Sequence, residues 1–151
     1  MIEQTLIIIK PDGVEKHLEN EIFKRFSNEG LKIKIKNKII LPKEFSYKFY
    51  SHLNNLPKVQ LDDIISYMTS NFAVIAILQG ENAIEKAVKL CGPTNPAKAQ
   101  KGTIRGDFSD DDMNECIKQM RAVHNIIHRS ANKEDFEKEA DIVKDYKLLS
   151  F

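Results

Sequence analysis

Two uninterrupted apolar runs, residues 5–9 and 72–78, constrain what this chain can fold into more than any other feature. Each is far too short to span a bilayer, which takes about 20 residues. Each is also too continuous for a strand with one wet face, so both read as strands buried on two sides. Other segments arrange themselves around these two. Leu18, Ile22, Phe23 and Phe26 recur at helical spacing up to Gly30. Leu31-Lys32-Ile33-Lys34-Ile35-Lys36 alternates with period two, a strand with one buried and one lysine-rich face. Phe45, Phe49, Tyr50 and Leu53 mark a helix, and Ile64, Ile65 and Met68 another. Ile84, Ala87, Val88 and Cys91 mark a third, which Gly92-Pro93 ends. Residues 123–128 form a last strand, and Phe136, Ala140 and Val143 line the last long helix.

The order β-α-β-α-α-β-α-loop-β-α predicts an α/β (α+β) sandwich of the ferredoxin-like βαββαβ type. This is a four-stranded antiparallel sheet with helices packed on it. With 151 residues and no repeat, low-complexity tract or linker, the expectation is one domain over 1–151. A net charge of +1 gives no global pull toward nucleic acid or a membrane. An RNA-binding module of this fold would also need base-stacking aromatic strands that are missing here. Residues 1–10 lack signal-peptide character. Cys91 and Cys116 lie apart and outside any metal-like His/Cys spacing, so a reducing, cytoplasmic setting without structural zinc is expected.

Region 92–122 is too long to be a structureless loop in a compact domain. Its first half, from Gly92-Pro93-Thr94-Asn95-Pro96 to Gly102-Thr103-Ile104-Arg105-Gly106-Asp107, suits a polyanion. Glycines admit backbone amides, threonines donate, and arginine offers a planar fork. A rigid Pro/Gly-rich surface loop would have the same composition. In the second half, Ser109-Asp110-Asp111-Asp112 reads as an N-cap with a capping-box acid. Met113, Cys116, Ile117 and Met120 then share one face of a short helix at 110–121.

Asn125-Ile126-Ile127-His128-Arg129-Ser130 delivers a histidine to a strand end. A helix beginning near Asn132 then carries Glu139, whose carboxylate can reach back. One ring nitrogen aimed at a substrate with the other oriented by a second group is the geometry of an activated nucleophile. His17, His52 and His124 have no such setting and read as structural or exposed. Taken singly, Lys10 also fits a surface lysine, Tyr50 core packing, and Glu139 an exposed helix acid. The phosphate loop G-x-x-x-x-G-K-[ST], the dinucleotide fingerprint G-x-G-x-x-G and the H-R-D and D-F-G motifs are all absent. A nucleotide enzyme built on this chain must rely on a nucleophile.

Further segments stand in order: Thr5-Leu6-Ile7-Ile8-Ile9-Lys10-Pro11-Asp12-Gly13-Val14, Tyr50, Tyr67-Met68-x-Ser70 and Gly80-Glu81-Asn82-Ala83. After them come Gly92-Pro93-Thr94-Asn95-Pro96, Gly102-Thr103-Ile104-Arg105-Gly106-Asp107-Phe108 and Asn125-Ile126-Ile127-His128-x-Ser130. In this order the chain resembles the nucleoside diphosphate kinase family over nearly its whole length. The resemblance implies a ping-pong phosphotransferase. His128 would take the γ-phosphoryl of ATP or another nucleoside triphosphate, with Mg2+ bridging the phosphates, and pass it to a nucleoside diphosphate. Lys10 and Tyr50 would lie beside the transferred group, and Thr94 and Arg105 would hold the outer phosphates. Asn125 with Lys10 would contact the sugar hydroxyls, while Ser130 and Glu139 would fix the imidazole. The family also implies a homo-oligomer, tetramer or hexamer, to which the apolar tail 146–151 offers contacts. A catalytically weak or inactive nucleotide- or partner-binding member of the same fold is the alternative.

Four departures from the family pattern stand out. Val88 occupies the place, four residues before Gly92, of a phosphate-binding arginine, with Lys86 and Lys89 as candidate substitutes. The segment Asn54-Asn55-Leu56-Pro57-Lys58-Val59-Gln60 has no base-stacking aromatic. The stretch between Phe108 and Asn125 is longer than the usual family loop by about ten residues. Its helix, through Met113, Ile117 or Met120, is expected to supply an apolar contact instead. Finally His-Gly-Ser-Asp becomes His128-Arg129-Ser130-Ala131, where Arg129 either meets phosphate or points outward and Asn132 takes over the cap.

Overall fold

Both apolar runs become the two inner strands of one sheet. The computed structural model describes residues 1–150, so Phe151 lies outside the described residues. β1 (Ile2–Ile9) and β3 (Ala73–Glu81) pair antiparallel at the centre. β2 (Lys32–Ile39) flanks β3 and β4 (Ile127–Arg129) flanks β1, giving the order β2-β3-β1-β4 with every pair antiparallel. This is the ferredoxin-like arrangement expected from the sequence. Alternate residues explain the unbroken hydrophobicity. Ile7, Ile9, Val74, Ala76 and Leu78 face one core. Leu6, Ile8, Ile75 and Ile77 face the other.

The helices divide between those two cores. α1 (Pro11–Glu15), α2 (Glu19–Asn28), α5 (Ala83–Cys91) and α6 (Ile104–Phe108) cover the first face through Val14, Ile22, Phe26, Ala87, Cys91 and Ile104. α3 (Lys43–Phe49), α4 (Lys58–Met68) and α8 (Lys133–Asp145) cover the second through Phe45, Phe49, Ile65, Met68 and Val143. α2 ends as anticipated at Gly30, whose φ of +81° suits a residue without a Cβ. The side chain of Asn132 accepts from the Asp135 amide, so it does cap α8. No helix among the described residues is long and apolar enough to cross a membrane.

Several expectations need correcting. β2 does not carry one buried isoleucine face. Ile33 pairs with Leu78 and Ile35 with Ile77, so Lys34 is an extra residue, a bulge that turns Ile33 and Ile35 toward opposite sides of the sheet. The strand lies at the sheet edge, and Ile33 stays 40% exposed. The last strand is three residues long rather than six, because Ile126 adopts a left-handed φ of +75°. That conformation is rare for a β-branched residue and is held from outside. The Ile126 amide donates to Asp12 Oδ2 at 3.1 Å, and its carbonyl accepts from the Lys10 amide at 2.8 Å. Of the tail expected to offer contacts to a neighbour, Leu148 and Leu149 pack into the second core of the same chain, and Phe151 lies outside the described residues.

The predicted helix in the long segment exists as α7 (Met113–Gln119), but Asp112 caps it. Ser109 instead donates to the His124 carbonyl at 2.6 Å. Met120 terminates α7 in a left-handed turn, outside the face it was expected to share. α6 was not anticipated. It is possible because Gly106 lets the helix lie on the Gln100 carbonyl, where a Cβ would meet that oxygen at 2.0 Å. Gly106→Ala is therefore expected to destabilise the fold by about 2–4 kcal/mol. A denaturant midpoint unchanged from the parent would refute the close approach.

Candidate active site

The end of β1, the loop after α5, α6 and β4 converge at one edge of the sheet. Ile8 pairs with His128 across the β1–β4 ladder, so the strand that carries Lys10 also fixes the height of the histidine. Lys10 is 8% exposed, and its Nζ donates to Asn125 Oδ1 at 2.6 Å. Asn125 Nδ2 in turn donates to the Thr94 carbonyl at 2.9 Å. Arg105 is almost wholly buried. Its guanidinium donates to the carbonyls of Gly92 (2.8 Å), Ile127 (2.6 Å) and Asn125 (3.3 Å). Four segments that the sequence links only by motif order are thus stitched together by three side chains, Lys10, Asn125 and Arg105.

His128 Nε2 lies 3.0 Å from Glu139 Oε2, and Ser130 Oγ donates to Glu139 Oε1 at 2.7 Å. A carboxylate only accepts, so it holds the proton on Nε2 and leaves the Nδ1 lone pair available. The Phe49 ring meets the imidazole edge-on, with centroids 5.0 Å apart. Lys10, Tyr50, Thr94, Arg105, Asn125, His128 and Glu139 all border one cleft of about 750 Å3. Ser130 lies just behind it, fully buried. All the site residues read from the sequence therefore converge. His17, His52 and His124 are exposed, although His52 borders the cleft and His124 stacks on Tyr67 at 4.2 Å.

Burial and like charge tune the group. The Lys10 ammonium is pushed down to about 8, first by burial and then by the Arg105 cation, against the pull of Asp12. His128 is lowered from its ordinary value, chiefly by burial, with Lys10 and Arg105 adding to the effect and Glu139 opposing it. The imidazole is accordingly uncharged near neutral pH. Burial, then the Glu139 charge, raises the Tyr50 phenol. Its hydroxyl is shielded and has no partner among the described residues. A lone buried hydroxyl beside a buried cation pair is suited to an incoming anion. Among the described residues no three His, Cys, Asp or Glu side chains cluster to hold a metal ion. A divalent cation in this cleft would have to arrive on its substrate's oxygens.

Sequence reasoning missed several supporting residues. Asp12 accepts from the Tyr67 hydroxyl and shapes Ile126. Asn95 Oδ1 accepts from the amides of Ala97 and Met113, tying the 92–96 loop to α7. Both sit inside the quoted motifs, so a signal existed. Asp63, which accepts from the Ala122 amide, and Asp111, gripped by both terminal nitrogens of Arg121, carry none. Of the substitutes considered for Val88, Lys86 donates to the Glu29 carbonyl, and Lys89 pairs with Glu85 on the surface while bordering the hollow beside Val88.

Such a set can hold a polyphosphate against a neutral imidazole, which is the equipment of a nucleotide phosphotransferase. Comparison with known proteins agrees. Residues 3–146 match the family model "Nucleoside diphosphate kinase". The chain is 37% identical over 139 residues to a nucleoside diphosphate kinase of Methanocaldococcus jannaschii, covering 92% of this chain and 91% of that protein. It is 40% identical over 141 residues to that of Picrophilus torridus, covering 93% and 94%. A Borrelia burgdorferi nucleoside-diphosphate kinase, solved as a transition state mimic with vanadate and ADP, superposes with a TM-score of 0.86 at 31% identity. That match covers 93% of this chain and 86% of the other. The Halobacterium salinarum enzyme in complex with CDP gives 0.83 at 27% identity, covering 100% and 93%. The chain belongs to the nucleoside diphosphate kinase family, phosphotransferases whose phosphoryl donor is a nucleoside triphosphate.

The lowered Lys10 ammonium makes a testable statement. Near pH 8 the free protein is only partly protonated there, and a bound polyphosphate raises the group's proton affinity. ADP binding at pH 8 is expected to take up about half a proton, measured by calorimetry in buffers of different ionisation enthalpy. Lys10→Arg should abolish the uptake; equal uptake in both proteins would refute the assignment.

Proposed function

We propose that this chain transfers the γ-phosphoryl group between nucleotides through a phosphohistidine at His128. The observation that carries the reading is the His128–Glu139–Ser130 relay opening onto a cleft lined by Lys10 and Arg105. In the first half-reaction the Nδ1 lone pair attacks the γ-phosphorus of a nucleoside triphosphate. The bond from that phosphorus to the bridging oxygen breaks, and its electrons leave with the nucleoside diphosphate. In the second, a terminal oxygen of another diphosphate attacks the phosphohistidine and the nitrogen recovers its pair.

The side chains do the positioning. Lys10 and the Tyr50 hydroxyl donate to the group in flight, and Arg105 with Thr94 holds the phosphates that stay behind. Asn125, already bonded to Lys10, meets the sugar hydroxyls. Glu139 balances the positive charge that the ring acquires on attack, with Ser130 keeping that carboxylate in line. A bound Mg2+ would be held by the nucleotide's own phosphate oxygens and would offset their charge.

Base binding falls to the insertion. Met113 and Ile117 of α7 border the same cleft as Leu53, Leu56 and Ile64, whereas Met120 does not. We read these apolar side chains as the wall against which the base lies, in place of a stacking aromatic. Homo-oligomer formation, as tetramer or hexamer, belongs to the same proposal, with exposed Ile2, Ile33 and Phe72 as apolar surface for it. A reducing cytoplasm suits the two free, buried thiols Cys91 and Cys116.

Two experiments test the reading. Incubation with γ-labelled ATP is expected to leave acid-labile, alkali-stable label that disappears in His128→Ala. An unlabelled wild-type protein would instead favour the inactive, nucleotide-binding alternative. Ile117→Ser is expected to raise KM for nucleotides several-fold, on the order of 1 kcal/mol of lost apolar contact, with kcat little altered. An unchanged KM removes α7 from the base site.

A further inference from the structure

Arg129 follows the nucleophile in β4, and nothing in the proposed reaction uses it. Strand alternation sends its side chain to the opposite face from His128. β4 is the outermost strand, however, so that side chain has open space beside it. It borders two hollows at once. One is the cleft that contains His128, Lys10, Thr94 and Arg105. The other, of about 330 Å3, is bounded by Val88, Gly92, Pro93 and Thr103, with Lys89 and Lys98 also on its border. Arg129 therefore stands between the phosphate-binding loop and the vacant place over Val88.

Its bonding is incomplete in a way that a surface arginine's would not be. Nε is shielded from solvent and has no hydrogen-bond partner among the described residues. No carboxylate among them pairs with Arg129; of the two acids that border the cleft, Glu139 is already occupied by His128 and Ser130, and Asp135 makes no bond to Arg129. Arg105 adds a second cation close enough for the two guanidiniums to repel. The bonds of Arg105 go to neutral carbonyls, which leave its charge in place. Two neighbouring guanidiniums with no acid between them, one holding a buried unmet N–H, make a site for a dianionic or polyanionic group.

We propose that Arg129 binds the non-transferred phosphates of the nucleotide and supplies, from β4, the guanidinium that α5 lacks at Val88. The proposal deepens the reading of this cleft as a nucleoside diphosphate kinase site and rests on it. Because the phosphates concerned are present in di- and triphosphates alike, the effect belongs to binding rather than to the chemical step.

The test measures ADP and adenosine binding by calorimetry in four proteins: wild type, Arg129→Gly, Arg129→Lys and Arg129→Gly with Val88→Arg. Single-turnover labelling by ATP is followed in each. Arg129→Gly is expected to weaken ADP binding by about tenfold or more while leaving adenosine binding unchanged. Arg129→Lys should recover part of the loss, since it keeps the charge without the fork. Val88→Arg should restore ADP affinity to within about threefold of wild type. Half-maximal labelling of His128 should need about tenfold more ATP in Arg129→Gly than in wild type. ADP affinity indifferent to Arg129→Gly, or an equal loss for adenosine, would overturn the proposal. Lack of label in the wild type counts against the phosphoryl-transfer reading alone; the ADP affinities decide the case of Arg129.

Discussion

The bonds from Arg105 to the carbonyls of Gly92, Asn125 and Ile127 are what the rest of the site depends on. A guanidinium is hard to bury, and here its hydrogen-bonding demand is met by backbone dipoles instead of a carboxylate. The choice has two consequences. Mechanically, the loop after α5 and the strand that carries the histidine cannot move independently. Electrostatically, the charge is satisfied without being cancelled. The cleft keeps a positive field that depresses both Lys10 and His128 and is available to phosphate.

Local pattern made the sheet centre and most helices legible, because residues 5–9 and 72–78 satisfy the same rule at every position. It failed where a distant residue decides a local conformation. Nothing between 120 and 130 announces that Ile126 is left-handed, since the carboxylate that holds it is Asp12 at the far end of β1. The bulge at Lys34 was equally hidden behind a regular alternation. The candidate site was legible because its residues, Glu139 excepted, lie inside motifs whose order along the chain carries the information; Glu139 was read from its place on the helix that follows. Asp63 looks like a solvated acid and Asp111 like part of a helix start, so their grip on Ala122 and Arg121 is read only from what they touch.

The insertion shows how an added segment is made rigid. Loop ordering carries an entropy cost for each residue fixed, and a loose insertion beside a binding cleft would have to be ordered by every substrate. Here Asp111 accepts from both terminal nitrogens of Arg121 at 2.7–2.8 Å and from the His124 amide at 2.8 Å. The Arg121 hydrogen bonds hold its carboxyl well below the usual carboxylate range. Asn95 grips the first turn of α7 from the 92–96 loop, and Asp63 grips the chain that leaves it. The helix is fixed at both ends without a ligand, so any contact its apolar face makes in the proposed base site carries no further ordering penalty.

His128 sits under opposing pressures whose balance sets what it can do. Burial and two neighbouring cations drive the ring toward its neutral form, which frees a lone pair at ordinary pH. Carried too far, the same pressures would make that lone pair a poor base and a poor nucleophile, and would oppose the positive charge that develops on the ring during attack. Glu139 limits the effect. Its carboxylate keeps the proton on Nε2, restores part of the lost basicity, and lies where a charge developing on the ring in the proposed attack would need a counterion. Ser130 occupies its other oxygen, so Glu139 cannot turn away to meet Lys10 or Arg105. The orientation of the ring and the tuning of its proton affinity therefore rest on one carboxylate. The pairing of β1 with β4 matters to chemistry for the same reason: Ser130 donates its backbone amide to the Leu6 carbonyl, and that bond keeps the relay in register with the sheet.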